Sequence, residues 1–510
     1  MSKTQIISSI LLHTIFIGQA QNNPLFDKLQ FGDHDVGYRL LKAMDRARSP
    51  LKEQYNLPKE QQFGRTVPIY FWYPAQDDTK EKLSFGAYMN QWAYAWDYEI
   101  SQENITKEAK HQFSEYYWDY SDKLIDQYFD LQIITKAMEE ATPAQGKFPL
   151  VVFSHGHLDR WWIWGEFLAS HGIAVIGTPN AGTFQKRHEI GLAGLETQIR
   201  DAEFAISVVS QLNFIDHKKV LSAGSSYGSL SATGLASRNK NVKGVISLDG
   251  IIADWNEGEL LQRTPYWDYQ QFNTPILHTH SAARYSSNYI WMDQMKYADQ
   301  YRIQFTQLRH EDYHFQGMTD LFGLSLSNGE LSDHSTSFEL LTQIVLKFIQ
   351  GLTSHPDHLK YLTDLPVENG ISDSLVKVKF KKAIPAIPSS SELVELVRDE
   401  GFDALKQIYL QSKSRNEQPF SPVTFYDVGV MMHRLDLIEE EKTWFQYYLD
   451  CYPKSAEAMF RLARLETITG NEDEGRTNLK TAYELIDEDP HVTQGRRSYL
   501  KSRIEGLMSE

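Results

Sequence analysis

The sequence predicts an α/β protein: a mostly parallel sheet with flanking helices and a helical insertion, followed by an all-α region. Three observations carry that reading. Short apolar runs alternate with longer helical patterns through the first two thirds of the chain, a glycine-framed serine stands between one such run and a small-residue helix, and a proline-spaced break leads into purely helical sequence.

In chain order, the first segment is residues 1–20, with Lys3, an apolar run from Ile6 to Ile17, and Gly18-Gln19-Ala20. This has the layout of a signal peptide, too short for a permanent membrane span, so a secreted or periplasmic protein is expected. Residues 21–382 hold the strand-like runs Val67 to Trp72, Leu150 to Phe153, Ile173 to Gly177, Val220 to Ala223, Val245 to Leu248, Pro275 to His278 and Arg302 to Leu308. A one-faced helix from Phe338 to Ile349 is placed to close the sheet. Between about residues 84 and 144 the strand rhythm breaks and aromatic residues gather, among them Trp92, Trp96 and Trp118. This stretch reads as a helical cap whose aromatics either wall a substrate pocket or pack the insertion onto the sheet. Residues 383–391 read as a linker, and residues 392–510 as a helical domain with a 34-residue recurrence of the tetratricopeptide kind and Tyr452-Pro453 where a helix pair would end. Two or three such units leave end repeats to be covered, so either the preceding α/β region or a protein partner is expected to cover them.

Composition narrows the function. With 67 acidic against 51 basic residues the net charge is −16, which disfavours nucleic acid as a partner. The single cysteine, Cys451, excludes an intrachain disulfide and multi-cysteine zinc sites. No second transmembrane candidate appears and no cofactor is called for.

The chemistry centres on Gly224-Ser225-Ser226-Tyr227-Gly228, which follows a strand-like run and leads into Ser229-Leu230-Ser231-Ala232. A sharp strand-to-helix turn lifts the central serine above the sheet, and flanking side chains would collide with neighbouring backbone, hence the glycines. Ser226 is therefore the expected nucleophile. Upstream, Phe153-Ser154-His155-Gly156-His157 supplies an oxyanion loop, with the backbone N–H groups of His157 and Tyr227 as expected donors. A nucleophilic serine needs a base and an acid that holds the base's tautomer. The loop Leu308-Arg309-His310-Glu311-Asp312-Tyr313-His314-Phe315 offers two histidines; His314 is chosen as the base and His310 kept as the alternative. The run after His278 contains no carboxylate, so the acid is sought at the tip of the preceding strand, where Asp249 leads and Asp254 follows.

Together these residues resemble the α/β-hydrolase superfamily, and within it the branch of platelet-activating factor acetylhydrolases and dienelactone hydrolases. The resemblance spans about Phe31 to Gly351 and includes Phe71-Trp72-Tyr73-Pro74-Ala75, Leu168-Ala169-Ser170-His171-Gly172, the elbow and Leu248-Asp249. It implies hydrolysis of a small-molecule or lipid ester through an acyl-enzyme, with the acid after the earlier strand. Ser225, where those enzymes commonly carry histidine, and the aromatic insertion depart from the pattern and leave the acyl and leaving groups open. Two rival readings stand beside it: an inactive hydrolase-fold scaffold acting through its repeats, and a zinc hydrolase using His155, His157 and Asp159. Arg160 stands where the zinc motif would have its last histidine, and a cation there repels a second metal.

Overall fold

The computed structural model describes residues 24–509 except 77–79, 96, 118–119, 155–157, 255, 283–287, 323–333, 369–374, 385–387 and 415–419. The expected signal segment, and with it the basis for expecting export, lies outside the described residues. Among those described, no helix is long and apolar enough to cross a membrane. The chain forms two compact units, residues 1–384 and 385–510.

The first unit is built on one sheet of eleven strands: β1 Asp35–Asp45, β2 Arg65–Ala75, β3 Lys82–Ser84, β4 Ile134–Glu139, β5 Phe148–Ser154, β6 Ala174–Gly177, β7 Ile215–Ser225, β8 Val242–Leu248, β9 Ile276–Ser281, β10 Gln300–Phe305 and β11 Val376–Lys381. Their spatial order is β11-β10-β9-β8-β7-β5-β6-β2-β1-β4-β3. Strands β5 to β10 run parallel to one another, whereas β2 is antiparallel to both β1 and β6, and β11 is antiparallel to β10. Side chains alternate between faces along each strand. On β5, Val151 and Phe153 enter one apolar core, while Leu150 and Val152 enter the other. The helices Leu158–Ser170 and His334–Thr353 cover the first face, and Leu192–Val209 and Gly228–Arg238 the second. A sheet buried on both faces explains why its strands read as continuous apolar runs.

The insertion departs from the expected purely helical cap. It starts and ends in strands: β3 pairs with β4, and β4 extends the sheet beside β1. The helices Phe85–Asn90, Ile105–Tyr116 and Asp122–Phe129 lie between them. β4 escaped the sequence reading because Ile134-Thr-Lys-Ala-Met-Glu139 is short and mixes polar with apolar residues. The aromatics of the insertion pack inward: Phe85, Tyr88, Phe113, Tyr117 and Tyr128 join Trp161, Trp162 and Trp164 in one cluster. Two further strands, β1 and the edge strand β11, were also not read from the sequence; β11 alternates valine and lysine as Val376-Lys-Val-Lys379, an exposed-edge pattern.

The helix Leu158–Ser170 carries two fully buried carboxyl groups, Asp159 and Glu166. Glu166 accepts from Tyr88 Oη (2.8 Å), Lys136 N (2.8 Å) and Ala137 N (3.3 Å), so it ties the helix both to the insertion and to β4. Burial pushes its carboxyl up to about 6, with these hydrogen bonds opposing the shift. The native carboxyl therefore keeps its proton to a higher pH than the unfolded one, and raising the pH from about 4.5 to 6 favours the unfolded chain by about 2 kcal/mol. Melting curves of wild type and Glu166→Gln across pH 4–7 should diverge accordingly. The variant, lacking this proton, should lose less stability over that interval, and parallel curves would contradict the buried-carboxyl account.

The second unit comprises seven helices among its described residues, Ser390–Glu400, Phe402–Ser414, Pro422–Arg434, Ile438–Cys451, Ala456–Ile468, Glu472–Leu485 and Gln494–Ser509. Two successive hairpins repeat: the helices starting at Pro422 and Ile438 recur at Ala456 and Glu472, each 34 positions later and of matching length. Their local devices recur as well. Ser421 and Ser455 each cap the following helix, accepting from the amides of Thr424 and Ala458, and Asp436 and Gly470 both take left-handed backbone between the paired helices.

Candidate active site

Because β5, β7, β8, β9 and β10 are parallel, their carboxyl ends share one rim, and Ser226 and Asp249 follow β7 and β8 there, with His310 meeting Asp249. β7 runs to Ser225 and the helix Gly228–Arg238 begins three residues on, leaving Ser226 at the apex with φ of 51°. Left-handed backbone is strained for serine and is held here by its surroundings: Ser226 N donates to Leu248 O (3.2 Å), while Ser226 O accepts from Ser229 N (3.0 Å) and Ser229 Oγ (2.7 Å). A Cβ on Gly224 would stand 2.2 Å from Gly228 O, so no other residue fits where the strand and helix ends meet. The helix N-terminus behind Ser226 favours negative charge at the turn.

Asp249 follows β8, the neighbour of β7, and it too is left-handed, with φ of 42°. Its backbone is fixed by Asp249 N donating to Thr279 O (2.8 Å), and the carboxylate, 1% exposed, accepts Ser281 N on Oδ1 (2.8 Å). The second oxygen, Oδ2, lies 2.5 Å from Nδ1 of His310. Ile251 N donates to Ser226 O (3.3 Å), which brings the residues after the acid against the elbow.

The histidine that meets Asp249 is thus His310, where the sequence reading placed His314. His310 precedes the short 3-10 turn Glu311–Tyr313, and its ring is partly exposed, with 41% of the side chain open to solvent. The turn carries His314 the other way. That residue is 1% exposed, its ring meets Trp161 edge-on (4.9 Å), and its Nδ1 lies 3.4 Å from Glu311 O. Two histidines four positions apart in one loop differ in their flanks, charged at His310 and aromatic at His314, but the sequence does not say which of them the fold brings to Asp249. The selection comes from Asp312, whose Oδ2 accepts Arg309 N (2.8 Å) and lies 2.6 Å from Nδ1 of His334 at the start of a sheet-covering helix.

Of the other expected site residues, Tyr227 stands directly after Ser226 and its hydroxyl donates to Gly191 O (2.8 Å). His155 and His157 lie outside the described residues, as do Trp96 and Trp118. Trp92 is 7% exposed and packs on Phe113 (5.6 Å) and Tyr116 (6.0 Å) within the core cluster of the insertion. Asp254 lies beyond the turn Ile251–Ala253, its N donating to Ile251 O (2.9 Å). Asp159, the third member of the zinc alternative, is fully buried and accepts a hydrogen bond from Tyr117 Oη (2.6 Å).

The strand order, the strained serine after β7 and the carboxylate after β8 define an α/β-hydrolase fold with a helical second unit. No family model matches the chain, and no curated protein matches it. Among solved structures it is similar to a ferulic acid esterase from Streptomyces cinnamoneus, at 17% identity, covering 68% of this chain and 96% of that one, with a TM-score of 0.47.

Proposed function

We propose that the first unit is a serine hydrolase that cleaves carboxylic esters through an acyl-enzyme. The observation that carries this reading is the 2.5 Å contact between His310 Nδ1 and Asp249 Oδ2, beside a serine held in a strained elbow on the next strand. Such a contact fixes the imidazole tautomer with Nε2 as the basic nitrogen and stabilises the imidazolium once it forms. In the first step Ser226 Oγ attacks the ester carbonyl as its proton passes to His310 Nε2. The alcohol leaves with that proton, and water then releases the acid by the same route in reverse. Backbone N–H groups of Tyr227 and His157 are the proposed donors to the oxyanion.

The finer resemblance, to platelet-activating factor acetylhydrolases and dienelactone hydrolases, is supported by the acid standing after β8 rather than after β9. For the second unit, the two hairpins repeating at 34 residues support a tetratricopeptide-like module that engages a protein partner.

A fluorophosphonate probe tests the central claim. It should form a stoichiometric adduct located by peptide mass to Ser226, and heat-unfolded protein should take up none. Folded protein that stays unlabelled would instead favour the inactive-scaffold alternative.

A further inference from the structure

One cation beside the proposed site has no part in the ester cleavage just described. Arg160 lies in the first turn of the helix Leu158–Ser170, a few residues beyond β5, whose last residue, Ser154, pairs with Gly224 of the elbow strand. The same helix turn touches the base's loop, since Trp161 packs edge-on against His314. Arg160 is therefore at the rim shared by the elbow and the His310 loop.

Its guanidinium is held on one edge and open on the other. Nε donates to Tyr117 Oη (2.8 Å), and that hydroxyl in turn donates to Asp159 Oδ2 (2.6 Å). The guanidinium carbon lies 5.3 Å from the centre of the Tyr117 ring and 5.6 Å from that of Tyr116, so two aromatic side chains frame the cation. Among the described residues, Nη1 and Nη2 make no hydrogen bond or ion pair, and the side chain is partly exposed. An arginine that serves only packing is expected to place its fork on a carboxylate or on carbonyl oxygens, as Arg65 does here with Asp201 and Gly182.

We propose that Arg160 determines specificity by receiving a carboxylate carried by the ester substrate. The free Nη edge of a fixed guanidinium is a fork for bidentate carboxylate binding, and the aromatic frame excludes water that would weaken the pair. A single cation matches a monoanion, which selects carboxylate over a phosphate dianion. The proposal rests on the hydrolase reading for its substrate class, although the anion site can be measured apart from turnover.

Monomethyl succinate, glutarate and adipate, each paired with its uncharged dimethyl ester, are the probes. For at least one chain length the wild type should prefer the monoester, per ester group, by roughly 10- to 100-fold in kcat/KM. Arg160→Gln should bring that ratio close to one, and Arg160→Lys, which keeps the charge without the fork, should fall between. A wild type that hydrolyses these esters without the preference, a ratio unchanged in Arg160→Gln, or a stronger preference for a phosphorylated ester of equal length would overturn the proposal. Calorimetric binding of the best monoester to Ser226→Ala, with and without Arg160→Gln, reads the anion site without hydrolysis. Arg160-dependent binding there, in a protein whose wild type neither turns over esters nor takes the fluorophosphonate, would sustain the anion site and end the hydrolase reading. Binding that ignores Arg160 would end the anion site alone.

Discussion

Ser226→Ala is expected to lower turnover of a short p-nitrophenyl ester by about four to six decades while the melting temperature stays near that of wild type. The large effect follows from the proposed chemistry: the variant lacks the hydroxyl that would form the acyl-enzyme, and what would remain is the modest help of the oxyanion donors and of binding. The small effect on stability follows from structure. The elbow is fixed through the backbone of Ser226, by bonds to Leu248, Ser229 and Ile251, and through the close approach of Gly224 to Gly228. None of these contacts uses the hydroxyl. Purified variant that hydrolyses the ester at the wild-type rate would remove Ser226 from the mechanism.

The second large effect separates the two histidines. His310→Ala should lower kcat by a similar four to six decades, since it removes the base and leaves the Asp249 carboxylate without the imidazole it orients. His314→Ala should behave differently. Its ring is buried against Trp161, so the variant should lose about 1–3 kcal/mol of stability and retain turnover within about tenfold of wild type. Parallel measurements of kcat and of urea unfolding on the two variants give the comparison. A reversed pattern, with His314→Ala inactive and His310→Ala active, would show that the Asp249–His310 pair is not the working one.

The carboxylates of the helix Leu158–Ser170 connect site and scaffold. Glu166 fastens the insertion and β4 to the sheet, whereas Asp159 holds Tyr117 and through it Arg160. Burial pushes Asp159 up to about 6, with Arg160 and Tyr117 opposing the shift. The aromatic insertion thus has a packing role that is plain in the contacts. Its proposed functional contribution is narrower than a general apolar wall, consisting of the tyrosines that frame one cation.

Much of the sheet was legible because parallel strands buried on both faces must be apolar along their whole length. Val220 to Ala223 and Val245 to Leu248 have no other reading once helices flank them. The elements missed were those that lack this burial. β1 and β4 mix polar with apolar residues near one margin of the sheet, and the edge strand β11 alternates with lysine, so none of them reads as a continuous apolar run. The 34-residue recurrence was legible for a related reason: each hairpin buries the same face against its neighbour, so the pattern must repeat.

By itself the sequence determined the strand-turn-helix around Ser226, an aspartate at the tip of β8 and the two-part organisation, because each depends on steric and burial constraints between residues close in the chain. Gly224 must approach Gly228, and an aspartate at the tip of β8 stands beside whatever β7 presents. Tertiary structure alone decided which histidine meets Asp249, and that Arg160 turns a free edge outward from a tyrosine frame. Both depend on contacts between segments far apart in sequence, Asp312 with His334 in the first case and Tyr117 with Asp159 and Arg160 in the second, and the intervening chain encodes neither.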